Sequence, residues 1–104
     1  LGEGIIKTAG LEFDAGQLTV VLPTKRRISL TPIEMKVLYC LIANAGRVIS
    51  VERLAQSVWG PRHGEASPIR VYISRIRHKL EDDSDRPKYI EGVRGAGYRF
   101  KTEG

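Results

Sequence analysis

At 104 residues the chain has room for one small domain, and its 41% hydrophobic content lets it bury a core, which excludes a disordered chain. Its 17 Lys and Arg against 12 Asp and Glu leave a net charge of +5, a balance that suits a polyanionic partner without requiring one. The single cysteine, Cys40, excludes an internal disulfide and fits a reducing cytoplasm, and no apolar run reaches the length of a membrane span.

No signal-peptide pattern opens the chain, and Leu1 is not an initiator methionine, so the sequence reads as a piece of a longer protein. The first elements are strands, between about residues 4 and 30. Ile5-Ile6, Leu11-Glu12-Phe13, Leu18 to Leu22 and Arg27 to Leu30 are short apolar or alternating runs. Gly10, Asp14-Ala15-Gly16 and Pro23-Thr24-Lys25 punctuate them, which predicts a small antiparallel sheet.

Thr31-Pro32-Ile33-Glu34 predicts a helix start by three signals: a capping hydroxyl, a proline at the first helical position, and a glutamate that completes a capping box. Met35, Leu38, Leu41 and Ile42 give this helix, about 32–44, an apolar stripe, and Gly46 can end it in the left-handed conformation. Val48-Ile49 reads as a brief extended link. Ser50 caps a second helix, about 51–59, which carries Leu54, Val58 and Trp59 and stops at Gly60.

After the loop from Gly60 to Ala66, Ser67-Pro68 opens a third helix, about 68–81. Ile69, Ile73, Ile76 and Leu80 share one side of it; Val71, Ser74, Arg75 and His78 point the other way, with Arg70 and Arg77 on the flank. From Arg62 to Lys79 there are five Lys or Arg against one acid, Glu65, and the acids collect just after, from Glu81 to Asp85. Such a helix would run about 21 Å, enough to lie along a DNA major groove. Arg75, in mid-face, suits the O6 and N7 of a guanine, and the outward Val71 suits a thymine methyl. Ser74 and Arg77 suit phosphates, and His78 a polar contact on the same face. A plain solvated basic face has the same pattern, so the neighbouring elements must decide.

The last element is a hairpin, about 89–101: Tyr89 to Val93 and Tyr98 to Phe100 are its strands, and Arg94-Gly95-Ala96-Gly97 its turn. Arg94 at a protruding tip suits a narrow minor groove. Phe100 reads as core; Tyr98 can pack its ring and offer its hydroxyl to a phosphate, and Trp59 can do likewise with its indole N–H. The acids from Glu81 to Asp85 read as a solvated loop. His63 and His78 lack the companions of a metal site, Gly95-x-Gly97 joins two strands and is no dinucleotide fingerprint, and no nucleophile motif is present. No enzyme, metal or cofactor is expected. The order is sheet, three helices and a hairpin: an α+β winged helix-turn-helix with an N-terminal antiparallel sheet and a C-terminal wing.

Leu30-Thr31-Pro32-x-Glu34, Gly46-Arg47-Val48-Ile49-Ser50, Val58-Trp59-Gly60, Val71-x-Ile73-x-x-Ile76-Arg77-x-Lys79-Leu80 and Val93-Arg94-Gly95-x-Gly97-Tyr98-Arg99-Phe100 resemble, in order and spacing, the OmpR/PhoB-type effector domain of bacterial two-component response regulators. The resemblance covers nearly the whole chain. It implies sequence-specific binding of double-stranded DNA for transcriptional regulation, with the third helix in the major groove and the wing in the minor groove. It also implies a receiver domain outside this sequence, phosphorylated by a sensor histidine kinase, and head-to-tail homodimers on direct repeats. By position it makes Arg75 the base-contacting arginine and Arg94 the wing arginine, places Tyr72 at a frequent contact histidine, and turns Arg77, Trp59 and Tyr98 toward phosphates. Ser67, at the start of the third helix, joins this DNA-facing set. The resemblance turns the loop of Pro61, Arg62, His63, Gly64, Glu65 and Ala66 toward RNA polymerase. Arg70 stands where an acid is common and Gly92 where threonine is common, so the binding mode carries over and a target sequence does not. Two rivals remain: a winged helix used only for protein interaction, and the same DNA-binding domain in a regulator outside two-component signalling.

Overall fold

A computed structural model describes residues 4–61 and 67–102, Ser67 through its backbone alone. Four short strands open it: β1 (Ile6–Thr8), β2 (Leu11–Asp14), β3 (Thr19–Val21) and β4 (Arg27–Ser29). They form an antiparallel meander in that order, with Phe13 opposite Val20 and Val20 opposite Ile28. Along β2 the side chains alternate as a strand requires, so Leu11 and Phe13 are buried while Glu12 and Asp14 are only partly covered.

Helix α1 (Pro32–Ala43) starts as the Thr31–Glu34 pattern anticipates. The Glu34 amide donates to Thr31 Oγ1 at 3.3 Å, and the Thr31 amide donates to Glu34 Oε1 at 2.9 Å. Gly46 takes a φ of +88° beyond the helix end, and its amide donates to the Phe100 carbonyl at 2.9 Å. That bond ties the end of α1 to the last strand of the chain.

Val48-Ile49, expected only to link two helices, is a strand, β5 (Val48–Ile49). It pairs antiparallel with β7 (Gly97–Phe100), Val48 opposite Arg99 and Ile49 opposite Tyr98. β7 also pairs with β6 (Ile90–Val93), so the wing is a three-stranded sheet in the order β5-β7-β6. Gly97 lies within β7 and not in the turn proper. Its φ is +143°, and a Cβ built there would lie 2.8 Å from Ser50 Cα and from the carbonyl carbon of Ile49. Only glycine lets β7 pass so close to the backbone that enters the second helix.

That helix, α2 (Val51–Trp59), is capped by Ser50, whose Oγ accepts from the Arg53 amide at 3.1 Å. Helix α3 (Ser67–Leu80) buries Ile69, Ile73, Ile76 and Leu80, each at most 1% exposed. They close one core with Leu11, Phe13, Leu38, Leu54, Ile90 and Phe100. Fully burying each such side chain is worth about 1.5–3 kcal/mol. The four aliphatics therefore fix which side of α3 faces outward.

Candidate nucleic-acid interface

With its apolar side held, α3 leaves Arg70, Val71, Ser74, Arg75 and His78 exposed on the opposite side. Val71 is 49% exposed, an apolar group on a surface that otherwise carries arginines. Tyr72 and Arg77 are half-buried at the edges of this face. Arg75 Cζ stands 5.6 Å from the centroid of the Tyr72 ring, and Trp59, half-buried at the end of α2, packs on the same ring with centroids 6.1 Å apart.

The wing stands beside this helix. Ala96 closes its turn by donating to the Val93 carbonyl at 2.9 Å, and Arg94 is exposed in that turn. Between wing and helices runs an open groove of about 570 Å³, whose walls include Glu52 from α2, Arg70 from α3, and Gly92, Arg94 and Tyr98 from the wing. Arg70, Arg94 and Tyr98 thus meet on one concave surface. Gly92 has no left-handed φ, and a Cβ there would make ordinary contacts of 3.7 Å with Arg77 and Tyr98.

Two side chains lock the wing to α3. Arg77 donates from Nη2 to the Ile90 carbonyl at 2.9 Å, and its Cζ lies 5.6 Å from the Tyr98 ring centroid. Among the described residues its buried Nε has no hydrogen-bond partner. Sequence reading offered Arg77 to phosphate; in the structure its guanidinium is already bonded to the wing. The second lock is Asp82. Helix α3 ends in a Schellman turn, with the Glu81 amide on the His78 carbonyl at 3.1 Å and the Asp82 amide on the Arg77 carbonyl at 2.8 Å. Glu81 takes a φ of +59° to make this turn. It delivers the Asp82 carboxylate to the start of β6. Oδ1 accepts from the amides of Asp83 at 3.0 Å and Lys88 at 2.6 Å, and Oδ2 from those of Tyr89 at 3.2 Å and Ile90 at 3.0 Å. The acidic segment is therefore not simply solvated, because one of its members binds the backbone amides that lead into the wing. Desolvation, then the charges of Asp82 and Glu81, push the neighbouring Tyr89 hydroxyl above its usual pKa.

A third tie fixes α3 from behind. Lys79 Nζ donates to Glu34 Oε1 at 2.7 Å and to the Ser29 carbonyl at 3.1 Å, joining α3 to the start of α1 and the end of β4. Glu34 is only 2% exposed. On the wing's other pair, Arg99 is committed to Glu91, giving two hydrogen bonds to one carboxylate oxygen.

Of the expected site residues, the structure thus gathers Arg70, Val71, Tyr72, Ser74, Arg75, Arg77, His78, Arg94 and Tyr98 around one helix and one wing, with Trp59 behind them. The α3 side chains follow from helical periodicity; Asp82, Gly97 and the Glu34–Lys79 pair carry no local sequence signal. Pro61 is exposed in a turn; Arg62, His63, Gly64, Glu65 and Ala66, and the Ser67 side chain, lie outside the described residues.

Residues 25–100 match the family model described as "Transcriptional regulatory protein, C terminal". The chain belongs to this family. Among curated relatives of this effector domain, the KDP operon regulatory protein KdpE of Escherichia coli K12 is 42% identical over 77 residues, covering 73% of this chain and 34% of that protein. KdpE of Mycobacterium tuberculosis H37Rv is 36% identical over 104 residues, covering 98% of this chain and 45% of that protein. The chain therefore spans less than half the length of these relatives, which are transcriptional regulators. Among solved structures, the DNA-binding domain of Klebsiella pneumoniae RstA, determined in complex with the RstA box, superposes with a TM-score of 0.83 at 28% identity, over 94% of this chain and 97% of that one. The OmpR/PhoB homologue DrrB of Thermotoga maritima gives a TM-score of 0.81 at 36% identity, over 94% of this chain and 44% of that one. The fold is the winged helix of OmpR/PhoB-type effector domains, with the N-terminal sheet, three helices and C-terminal wing that the sequence predicts.

Proposed function

We propose that this effector domain binds double-stranded DNA sequence-specifically in the cytoplasm, with α3 in the major groove and the wing in the minor groove. The observation that carries this reading is the shared exposure of Val71, Ser74 and Arg75 on a helix whose opposite side is wholly buried, beside a wing that exposes Arg94. Arg75 and Val71 face bases; Arg70, Ser74, His78, Tyr98 and Trp59 face the backbone, and any phosphate contact of Arg77 shares a guanidinium already bonded to Ile90. In the whole protein a receiver domain phosphorylated by a histidine kinase would control this domain, which would bind direct repeats head to tail and meet RNA polymerase through residues 61–66. Among the described residues no helix is long and apolar enough to cross a membrane.

The test is selection of bound sequences from a pool of randomised duplexes, followed by titration at several salt concentrations. A defined motif, with affinity falling at a log–log slope of roughly −0.9 per phosphate neutralised, is expected. Recovery of unselected sequence with a flat salt response would overturn the reading in favour of a protein-interaction module.

A further inference from the structure

Arg75 does not stand alone on the exposed face of α3. Its Cζ lies 5.6 Å from the centroid of the Tyr72 ring, one helical turn earlier. That ring is held in turn by Trp59, whose centroid is 6.1 Å away with the planes inclined at 53°. Tyr72 is half-buried and Arg75 exposed, so the contacts run from the packed end of α2 outward to a solvent-facing guanidinium. An unsupported exposed arginine must give up most of its rotamers to make a bidentate contact with a base edge. A guanidinium resting on a fixed aromatic face has given up part of them beforehand, and the ring's negative face favours its charge.

We propose that Tyr72 is a positioning residue that sets base discrimination through Arg75, its ring holding the guanidinium in a reading pose before DNA arrives. The proposal rests on the reading of Arg75 as a base-contacting residue. It assigns the tyrosine ring, and not its hydroxyl, as the working group, with Trp59 as its support.

The experiment compares the 104-residue chain with Tyr72→Leu, Tyr72→Phe, Arg75→Ala and the Tyr72→Leu/Arg75→Ala double variant. The probes are a duplex selected by the unmodified chain and a shuffled duplex of the same composition. Tyr72→Leu is expected to lower the selected-to-shuffled affinity ratio about two- to fivefold, and Tyr72→Phe to retain the ratio. In the Arg75→Ala background Tyr72→Leu should change nothing further, because its effect passes through Arg75. Equal losses in the Phe and Leu variants would assign the effect to the hydroxyl and overturn the proposal, as would additive losses in the double variant. An Arg75→Ala variant with full discrimination would overturn the base-contact reading itself, and the proposal with it. A second measurement needs no variant at all: in the NMR spectrum of the free chain, the Arg75 side-chain protons should show an upfield ring-current shift, and ordinary positions would overturn the proposal even if Tyr72→Leu fails to fold.

Discussion

Arg77 and Ile90 lie 13 residues apart, and Nη2 of the one donates to the carbonyl oxygen of the other at 2.9 Å. This bond crosses from α3 to β6 of the wing, and the Tyr98 ring covers the same guanidinium from β7. The two elements that would enter neighbouring grooves are thereby held at one angle. Arg77→Met keeps an apolar stem against Tyr98, removes the bond to Ile90, and also removes the buried Nε that has no partner among the described residues. Loss of the bond and relief of the orphan donor oppose each other, so stability should fall by about 1 kcal/mol or less. Wing amides should nevertheless exchange faster, and affinity should drop similarly for selected and shuffled duplexes. A loss above about 3 kcal/mol in urea unfolding would show that the clamp supports the whole fold and not the wing angle alone.

Asp82 should matter more for stability than its place in an acidic loop suggests. Its carboxylate accepts four backbone amides, two per oxygen, and Asp82→Asn leaves one acceptor oxygen and no charge. The expected cost is about 2 kcal/mol, since hydrogen bonds to a charged group are the strong ones. Hydrogen exchange should show the loss first at Tyr89 and Ile90. Asp83→Asn and Asp85→Asn, at exposed neighbours, serve as controls expected to stay within about 0.5 kcal/mol.

The wing glycines should rank sharply under substitution by alanine. At Gly97 both the φ of +143° and the backbone of Ile49 and Ser50 oppose a Cβ, so Gly97→Ala should cost about 3 kcal/mol or more. Gly95 has a φ of +77° but open space around it, so Gly95→Ala should cost about 1–2 kcal/mol. Gly92→Ala meets neither obstacle and should be nearly neutral. Thermal unfolding of the three variants checks the order; an equal response at Gly95 and Gly97 would refute the close-approach argument.

Arg94 at the wing turn should act through DNA shape. Arg94→Ala is expected to weaken binding most for duplexes with A-tract flanks, where the minor groove is narrow and its potential focused. Titrations against duplexes differing only in flank composition check it, and equal losses on all flanks would place Arg94 on phosphates instead.

Much of this was open to sequence reasoning because the signals were short-range. The Thr31–Glu34 box, the Ser50 cap, the alternation of Leu11 and Phe13 and the aliphatic stripe of α3 each lie within one or two turns or a single strand. They suffice to orient Arg75 and Val71. What escaped was set by partners distant in sequence. Val48-Ile49 is too short to announce itself as a strand and becomes one only through β7. Gly97 owes its identity to Ile49 and Ser50, nearly half the chain away, and Asp82 reaches the wing because Glu81 adopts a left-handed turn that glycine usually makes. Arg77 has the spacing of a flank residue on α3, and only the tertiary fold shows that the wing takes its guanidinium.

Glu34 and Lys79, 45 residues apart, give the domain a defined response to acid. Burial pushes the Glu34 carboxyl up, but hydrogen bonds from Lys79 and Thr31, together with the Lys79 charge, outweigh it and hold the group below its usual value of 4.5. A carboxylate held low in the folded state contributes stability above its unfolded pKa, and loses that contribution as pH falls through the folded pKa. Glu34→Gln preserves an acceptor for the Thr31 amide while removing the ion pair. At neutral pH it should destabilise the domain by about 1–3 kcal/mol, discounted toward the low end because Lys79 is a third exposed. The gap to the unmodified chain should begin to narrow as pH falls through about 4.5, where the unfolded glutamate protonates, and close as pH falls further through the lower folded-state pKa. Lys79→Met should cost more at neutral pH, because it leaves a buried carboxylate without its cation, and should likewise recover on acidification. Urea unfolding at neutral pH and through the acid range checks both variants. A difference that stays constant with pH would mean that Glu34 stabilises α1 as a neutral cap and that its charge contributes nothing.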